Sequence, residues 1–118
     1  MRRYDIYGFH SSQLEDAAAF VESTLGITLR CRDSSYRGIY YCASVHSPQD
    51  YLLETNNEGA RWYSHYPEYG ATLMLSNLPD MDSIREKLTF GRSDPVFLRS
   101  IIHTEEPPEE YPSDNKDG

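Results

Sequence analysis

Residues 4–29 read YDIYGFHSSQLEDAAAFVESTLGITL, and this stretch decides the fold. It opens with a short apolar strand over residues 4–9 and continues into a helix. The apolar residues of that helix recur at helical spacing and form one stripe, made of Leu14, Ala17, Ala18, Val21 and Leu25. Ser12 and Glu15 have the spacing of a capping box at the helix start. Gly26 stands where a left-handed C-cap is expected, so the pattern predicts a strand followed by a well-bounded helix.

The rest of the chain predicts five more strands and a second helix. The strands are expected over residues 27–32, 38–45, 51–55, 71–75 and 95–103. The second helix follows Pro79, with Met81, Ile84 and Leu88 on one face. The order βαββββαβ predicts an α+β domain: a mixed or antiparallel β-sheet with two helices on one face. A ferredoxin-like sandwich is the alternative architecture.

Residues 14–29, LEDAAAFVESTLGITL, resemble the opening of the vicinal oxygen chelate superfamily, which includes glyoxalase, bleomycin-resistance and extradiol dioxygenase relatives. The resemblance covers about residues 4–90. It implies a scaffold of βαβββ modules, of which the first is complete and the second is shortened after its helix. In the family, His, Gln or Glu side chains on the strands hold a metal. The resemblance places Ile6, Ala71 and Thr72 at ligand positions and leaves Glu54 alone as a plausible ligand.

The sequence therefore predicts a protein without catalytic residues, bound metal or cofactor. None of the four histidines lies at metal-binding spacing from another, and the sequence contains no HExxH, GxSxG or glycine-rich phosphate loop. The alternative is a metal-dependent enzyme with unrecognised ligands, for which Glu54, His10 and His65 are the candidates.

Acidic residues are distributed unevenly along the sequence. The net charge is −8, and residues 105–118 contain six acidic residues and one lysine, against thirteen acidic and ten basic residues elsewhere. We expect a single α+β domain over residues 1–104 and an acidic disordered tail over residues 105–118. The sequence contains no basic stripe that could neutralise phosphates, so we expect no binding to nucleic acid. No apolar run suits a membrane span or signal peptide, so we expect a cytoplasmic protein.

The two cysteines suggest neither a zinc site nor a disulfide framework. If the second and third strands turn about Tyr36 and Arg37, then Cys31 and Cys42 lie opposite each other. A cross-strand disulfide is then one arrangement, and two half-buried thiols in a reducing compartment are the favoured one.

These features favour a binding protein over an enzyme. The first hypothesis is an immunity-type protein that neutralises a partner toxin of a bacterial system, such as a basic nuclease, which an acidic protein meets quickly. The loop between the fourth and fifth strands is rich in Trp, Tyr and Arg, the residues that dominate interface hot spots. The candidate partner-binding residues are Arg61, Trp62, Tyr63, Tyr66, Glu68 and Tyr69, with Glu54 and Glu58 as charge partners. The alternative is that these aromatic residues fold back on their own sheet.

The second hypothesis is a small-molecule binding module, in the manner that the family resemblance implies for antibiotic-sequestering members. The same loop, together with Tyr40 and Tyr41, would line an aromatic groove in a dimer. Aromatic faces and acidic residues suit a cationic, planar compound.

Overall fold

Eight elements follow one another in a computed structural model that describes residues 2–35, 38–43, 50–76 and 78–103. They are β1 (Arg2–Phe9), α1 (Leu14–Leu25), β2 (Arg30–Ser34), β3 (Gly38–Ala43), β4 (Tyr51–Thr55), β5 (Ala71–Ser76), α2 (Met81–Thr89) and β6 (Val96–His103). The predicted order βαββββαβ and the α+β class are confirmed. The turn at Tyr36 and Arg37, the predicted end of β3 at Val45, His46 and the acidic tail lie outside the described residues.

All six strands form one antiparallel sheet in the order β2-β3-β4-β5-β1-β6. β5 lies between β4 and β1, so strands from both halves of the chain share a single sheet. Both helices pack on one face, where alternate strand residues point inward. The main core lies there and is built on Tyr7, Leu53, Leu73, Leu75, Val21 and Leu88, all 0% exposed.

Helix α1 forms as its apolar stripe predicts. Ala17, Ala18 and Val21 are buried, and Gly26 ends the helix in the left-handed conformation, with φ 69° and ψ 38°. The prediction of a capping box is wrong, because Gln13 occupies the N-cap position and no side chain makes a capping hydrogen bond there. Ser11 Oγ instead accepts a hydrogen bond from the Gln13 N–H at 3.0 Å. The helix therefore begins one residue later than the Ser12–Glu15 spacing requires.

The β2–β3 hairpin is shifted by one residue from the predicted register. Cys31 pairs with Tyr41, and Arg30 pairs with Cys42. Because side chains alternate along a strand, this shift places the two cysteines on opposite faces of the sheet. Cys31 is exposed, Cys42 is buried, and both are free thiols. The prediction that they face each other is wrong, and the arrangement excludes a bond between them.

The face of the sheet opposite the helices has its own small apolar cluster. Ile6, Leu52 and Met74 are buried at its centre. The half-buried side chains around them are Tyr4, Tyr40, Trp62, Leu98 and Ile101. Within the described ranges, Trp62 reaches this cluster from the long β4–β5 connection rather than from a strand. We call this side of the sheet the loop face.

Neither helix in the described part of the chain is long and apolar enough to cross a membrane.

Candidate functional site

The connection between β4 and β5, residues 56–70, is held at both ends by backbone hydrogen bonds. We call it the aromatic loop. The Asn56 N–H donates to the Gly70 carbonyl at 2.9 Å, and the Gly70 N–H donates to the Phe9 carbonyl at 2.8 Å. The loop therefore starts and ends at the same end of the two neighbouring central strands, beside the end of β1.

Asn56 also fixes the far part of the loop through its side chain. Its Nδ2 donates to the Tyr66 carbonyl at 2.8 Å and to the Tyr69 carbonyl at 3.0 Å. Asn56 is only 4% exposed, so these bonds form out of contact with water. A buried amide that joins three points of one loop restrains its backbone. Short turns within the loop add to this, including the Tyr66 N–H to the Trp62 carbonyl at 2.9 Å.

Trp62 turns inward from the aromatic loop. It is half-buried against the cluster of Ile6, Leu52 and Met74. Its indole Nε1 is buried and has no hydrogen-bond partner within the described structure. Trp62 thus anchors the loop to the sheet. Trp62 therefore fits the alternative prediction, in which the aromatic residues of the loop fold back on their own sheet.

Tyr69 closes the other end of the loop against β1. Its ring lies directly over Gly8, where a side chain would collide with it. The ring also lies beside the imidazole of His10, with ring centroids 5.1 Å apart. His10 is held in turn by Asp94, whose Oδ1 lies 2.9 Å from Nδ1 and 2.9 Å from the backbone nitrogen. One connected set of contacts therefore links the aromatic loop, the end of β1 and the start of β6.

The remaining predicted partner-binding residues lie at different depths. Arg61, Glu58 and Glu68 are exposed, whereas Tyr63 and Tyr66 are half-buried. Glu54, predicted as a charge partner, is only 9% exposed. Among the residues proposed for a groove, Tyr40 and Tyr41 point to opposite faces of β3, because neighbouring strand residues alternate. Only Tyr40 lies on the loop face, so the expectation that both line one groove is wrong.

Three of the predicted residues meet at one cleft. Its volume is about 420 Å³, and it is lined by Glu54, Thr55, Asn57, Glu58, Gly59, Ala60 and Arg61. Glu54 comes from the end of β4, and Glu58 and Arg61 come from the first turns of the aromatic loop. The cleft combines two carboxylates with one guanidinium, a set that suits a ligand with a cationic group and hydrogen-bonding atoms.

The candidate metal ligands do not come together. Glu54, His10 and His65 do not form a group, and no three His, Cys, Asp or Glu side chains converge as metal ligands in the described ranges. His65 lies instead between two rings of its own loop, with its centroid 6.1 Å from those of Trp62 and Tyr66.

An ionic network that joins buried Asp5 to the start of α2 was not singled out from the sequence. Asp5 is 0% exposed and accepts hydrogen bonds from Arg3, at 3.0 and 3.1 Å, and from Ser100 Oγ at 2.7 Å. Arg3 also donates to exposed Asp82 at the start of α2, at 2.8 Å. These bonds, with the one to Asp5 first, raise the pKa of Arg3. Asp5 could have been identified from the two-residue alternation of a strand, which places it on the same face as Tyr7.

Tyr7 lies next to this network and is fully buried. Burial raises the pKa of Tyr7 to about 12, because the phenolate would lose its hydration. Its hydroxyl and Arg85 Nε both lack a hydrogen-bond partner in the described part of the structure. The Arg85 guanidinium lies 3.8 Å from the ring centroid of Phe97, which also makes an edge contact with Tyr7. This region is built as a core, and it positions α2 on the sheet.

No protein-family model, curated protein or solved structure matches this chain.

Proposed function

We propose that this protein is a non-enzymatic, immunity-type protein that binds and neutralises a partner toxin through the aromatic loop. A basic nuclease is the partner class that its acidic charge suits. The observation that carries the proposal is the pair of hydrogen bonds from buried Asn56 to the carbonyls of Tyr66 and Tyr69. They hold the loop in one shape before any partner arrives.

Such restraint favours binding because less conformational freedom is lost when the complex forms. The side chains that the loop presents are of the kinds found in interfaces. Exposed Arg61 lies between exposed Glu58 and half-buried Tyr63 along the loop. An arginine and a tyrosine beside carboxylates can make both apolar and charged contacts with a basic protein. Trp62, which faces the sheet, supports the loop instead of contacting the partner.

The proposal places the protein in the cytoplasm, where an immunity-type protein would meet a toxin before it acts. The acidic residues 105–118, which lie outside the described residues, would add long-range attraction toward a basic partner.

The direct test uses the product of the adjacent reading frame as the candidate partner. The two proteins are co-expressed, and their affinity is measured by calorimetry at low and high salt. Glu58→Lys is expected to weaken binding about tenfold or more, since it replaces a carboxylate that attracts a basic partner with a charge that repels it. Glu86→Lys is the matched control, because Glu86 is exposed near the end of α2, on the other face of the sheet.

Two outcomes would count against the proposal. One is a neighbouring gene product that migrates separately at low salt. The other is an equal effect of Glu58→Lys and Glu86→Lys, which would mean that net charge alone drives binding and that the aromatic loop is not the contact surface.

The cleft supports a second candidate function, a small-molecule binding module on a vicinal oxygen chelate-like scaffold. Its volume of about 420 Å³ suits a small ligand. Exposed Glu58 would pair with a cationic group of that ligand. Isothermal titration calorimetry with cationic aromatic compounds tests it. Glu58→Gln is expected to weaken binding, and Glu86→Gln on α2 is expected to leave it unchanged. If none of these compounds binds, this candidate is removed.

A further inference from the structure

Three exposed arginines lie on the loop face, at the two edges of the sheet. Arg32 pairs with Tyr40, and Arg99 pairs with Ile6. Tyr40 and Ile6 both belong to the cluster on the loop face, and residues paired across strands share a face, so Arg32 and Arg99 lie there too. Arg30 is two residues from Arg32 on β2 and therefore has the same orientation. All three arginines are exposed to solvent.

The helix side of the sheet has the opposite balance of charge. α1 contains three acidic residues, Glu15, Asp16 and Glu22, and no basic one, while the acidic and basic residues of α2 are equal in number. Asp33 of β2 also lies on this side, because it is next to Arg32. On the loop face, the one carboxylate that the described strands contribute is Glu54, which is only 9% exposed. An acidic segment is therefore attracted to the loop face and repelled from α1.

We propose that the acidic segment following β6, residues 105–118, lies across the loop face and pairs its carboxylates with Arg30, Arg32 and Arg99. This segment contains six acidic residues and one lysine, so its charge is complementary to that of the three arginines. It follows the strand that carries Arg99. Each exposed ion pair is worth at most about 1 kcal/mol, and several pairs together hold the segment against the sheet.

The segment is long enough to reach both groups of arginines. β2 and β6 are the two edge strands of the sheet, and six strands place them roughly 24 Å apart. Residues 104–118 can extend over roughly 50 Å. β6 ends beside the start of β1, whereas the aromatic loop adjoins the end of β1. The segment therefore begins at the end of the sheet that is remote from the exposed carboxylates of the aromatic loop.

A separate acidic protein is the other occupant that these arginines would suit. The segment of the same chain is favoured because it is covalently joined to the sheet. A short connection of this kind gives an effective concentration on the order of millimolar, which weak ion pairs need. The proposal does not rest on the function assigned to the aromatic loop, since both contacting parts belong to this chain and the test requires no toxin.

Paramagnetic relaxation enhancement in the full chain tests the proposal. A nitroxide is attached through Ser113→Cys, in a Cys31→Ser background, because Cys31 is the exposed thiol and Cys42 is buried. At low salt, the amides of β2 are expected to broaden strongly, although β2 lies at the far edge of the sheet from β6. The amides of α1, on the other side of the sheet, should broaden less. High salt should remove the effect on β2, because it screens exposed charges.

A matched pair of substitutions in the full chain identifies the contact. Arg32→Gln is expected to lower the ratio of docked to free segment about two- to fivefold, as the loss of one exposed ion pair does. Lys87→Gln is the control, because Lys87 is exposed on α2, on the other side of the sheet. It is expected to leave the broadening of β2 unchanged. Circular dichroism shows whether each variant remains folded.

Three results would overturn the proposal. Broadening confined to the end of β6 and the start of β1 would mean that the segment does not cross the sheet. Equal effects of Arg32→Gln and Lys87→Gln would mean that the arginines of the loop face do not hold it. The third result comes from mixing spin-labelled chains with isotope-labelled chains that carry no nitroxide. If β2 broadens as strongly in that mixture, the segment reaches another copy of the chain instead of its own sheet.

Discussion

Gly8 and Tyr69 are in direct contact across the loop face. A Cβ atom built on Gly8 would lie 2.7 Å from Cγ of Tyr69, 2.8 Å from its Cδ1 and 3.0 Å from Cδ1 of Leu98. Carbon atoms in proteins do not approach so closely, and an aromatic ring that rests on a backbone cannot move without moving its loop. The absence of a side chain at position 8 is therefore what lets the aromatic loop close onto β1.

Gly8→Ala is expected to destabilise the protein by about 1 to 3 kcal/mol, the usual cost of overfilling a packed site. The substitution should also loosen the loop, which Trp62 fluorescence and hydrogen exchange of residues 56–70 can detect. The double variant Gly8→Ala/Tyr69→Ala is the control, because it removes the ring that collides. The two changes should couple favourably, so that the double variant is more stable than the sum of the single losses predicts. Strict additivity would contradict the proposed contact.

Asn56 is expected to be the most sensitive residue of the aromatic loop. Asn56→Ala removes two hydrogen bonds and leaves the carbonyls of Tyr66 and Tyr69 without their buried donor. The loss should be about 2 to 4 kcal/mol in urea unfolding. Asn57→Ala is the matched control, because its side chain is exposed and the change should be close to neutral. If both variants unfold at the same urea concentration, Asn56 does not restrain the loop.

Asp5 and Asp82 both contact Arg3, yet their burial differs sharply. The side chain of Asp5 is 0% exposed, and that of Asp82 is 84% exposed. Asp5→Ala should cost about 1 to 3 kcal/mol, since it removes the hydrogen bonds that Asp5 accepts from Arg3 and leaves the Ser100 hydroxyl without its acceptor. Asp82→Ala should cost less than about 1 kcal/mol, as exposed ion pairs do. Thermal unfolding of the two variants side by side measures the difference, and equal losses would contradict the assignment of the network to Asp5.

The features predicted correctly from the sequence are those set by neighbouring residues. The stripe of α1 and the left-handed Gly26 follow from spacing within one helix and from the conformational freedom of glycine. The order of the elements follows from similar local patterns. The N-cap prediction was wrong because Ser11, Ser12 and Gln13 lie next to one another before the helix. Which of them occupies the N-cap position depends on the path of the chain from β1.

The features that were missed depend on contacts between distant parts of the chain. A shift of one residue in the β2–β3 register separated Cys31 from Cys42, and the predicted turn position could not resolve so small a difference. Whether Trp62 faces the sheet or the solvent depends on Ile6, Leu52 and Met74, which come from three different strands. Composition alone does not carry that information.

Tyr7 makes stability depend on pH in the alkaline range. An unfolded tyrosine ionises near pH 10, whereas burial raises the pKa of Tyr7 to about 12 in the folded protein. Between these values the folded state retains a proton that the unfolded state has lost, so stability falls as pH rises. A pKa difference of about 2 corresponds to a full effect of about 3 kcal/mol, which is reached above about pH 12. Tyr7→Phe removes the ionisable hydroxyl and should not show this contribution.

The comparison of wild type and Tyr7→Phe isolates this one group, because every other tyrosine titrates in both proteins. At neutral pH the variant should be as stable as the wild type or slightly more so, since the buried hydroxyl has no partner among the described residues. Above about pH 10 the variant should become progressively more stable than the wild type in urea unfolding. Parallel curves through the alkaline range would mean that water reaches the Tyr7 hydroxyl and that the contact of α2 with β1 opens at this point.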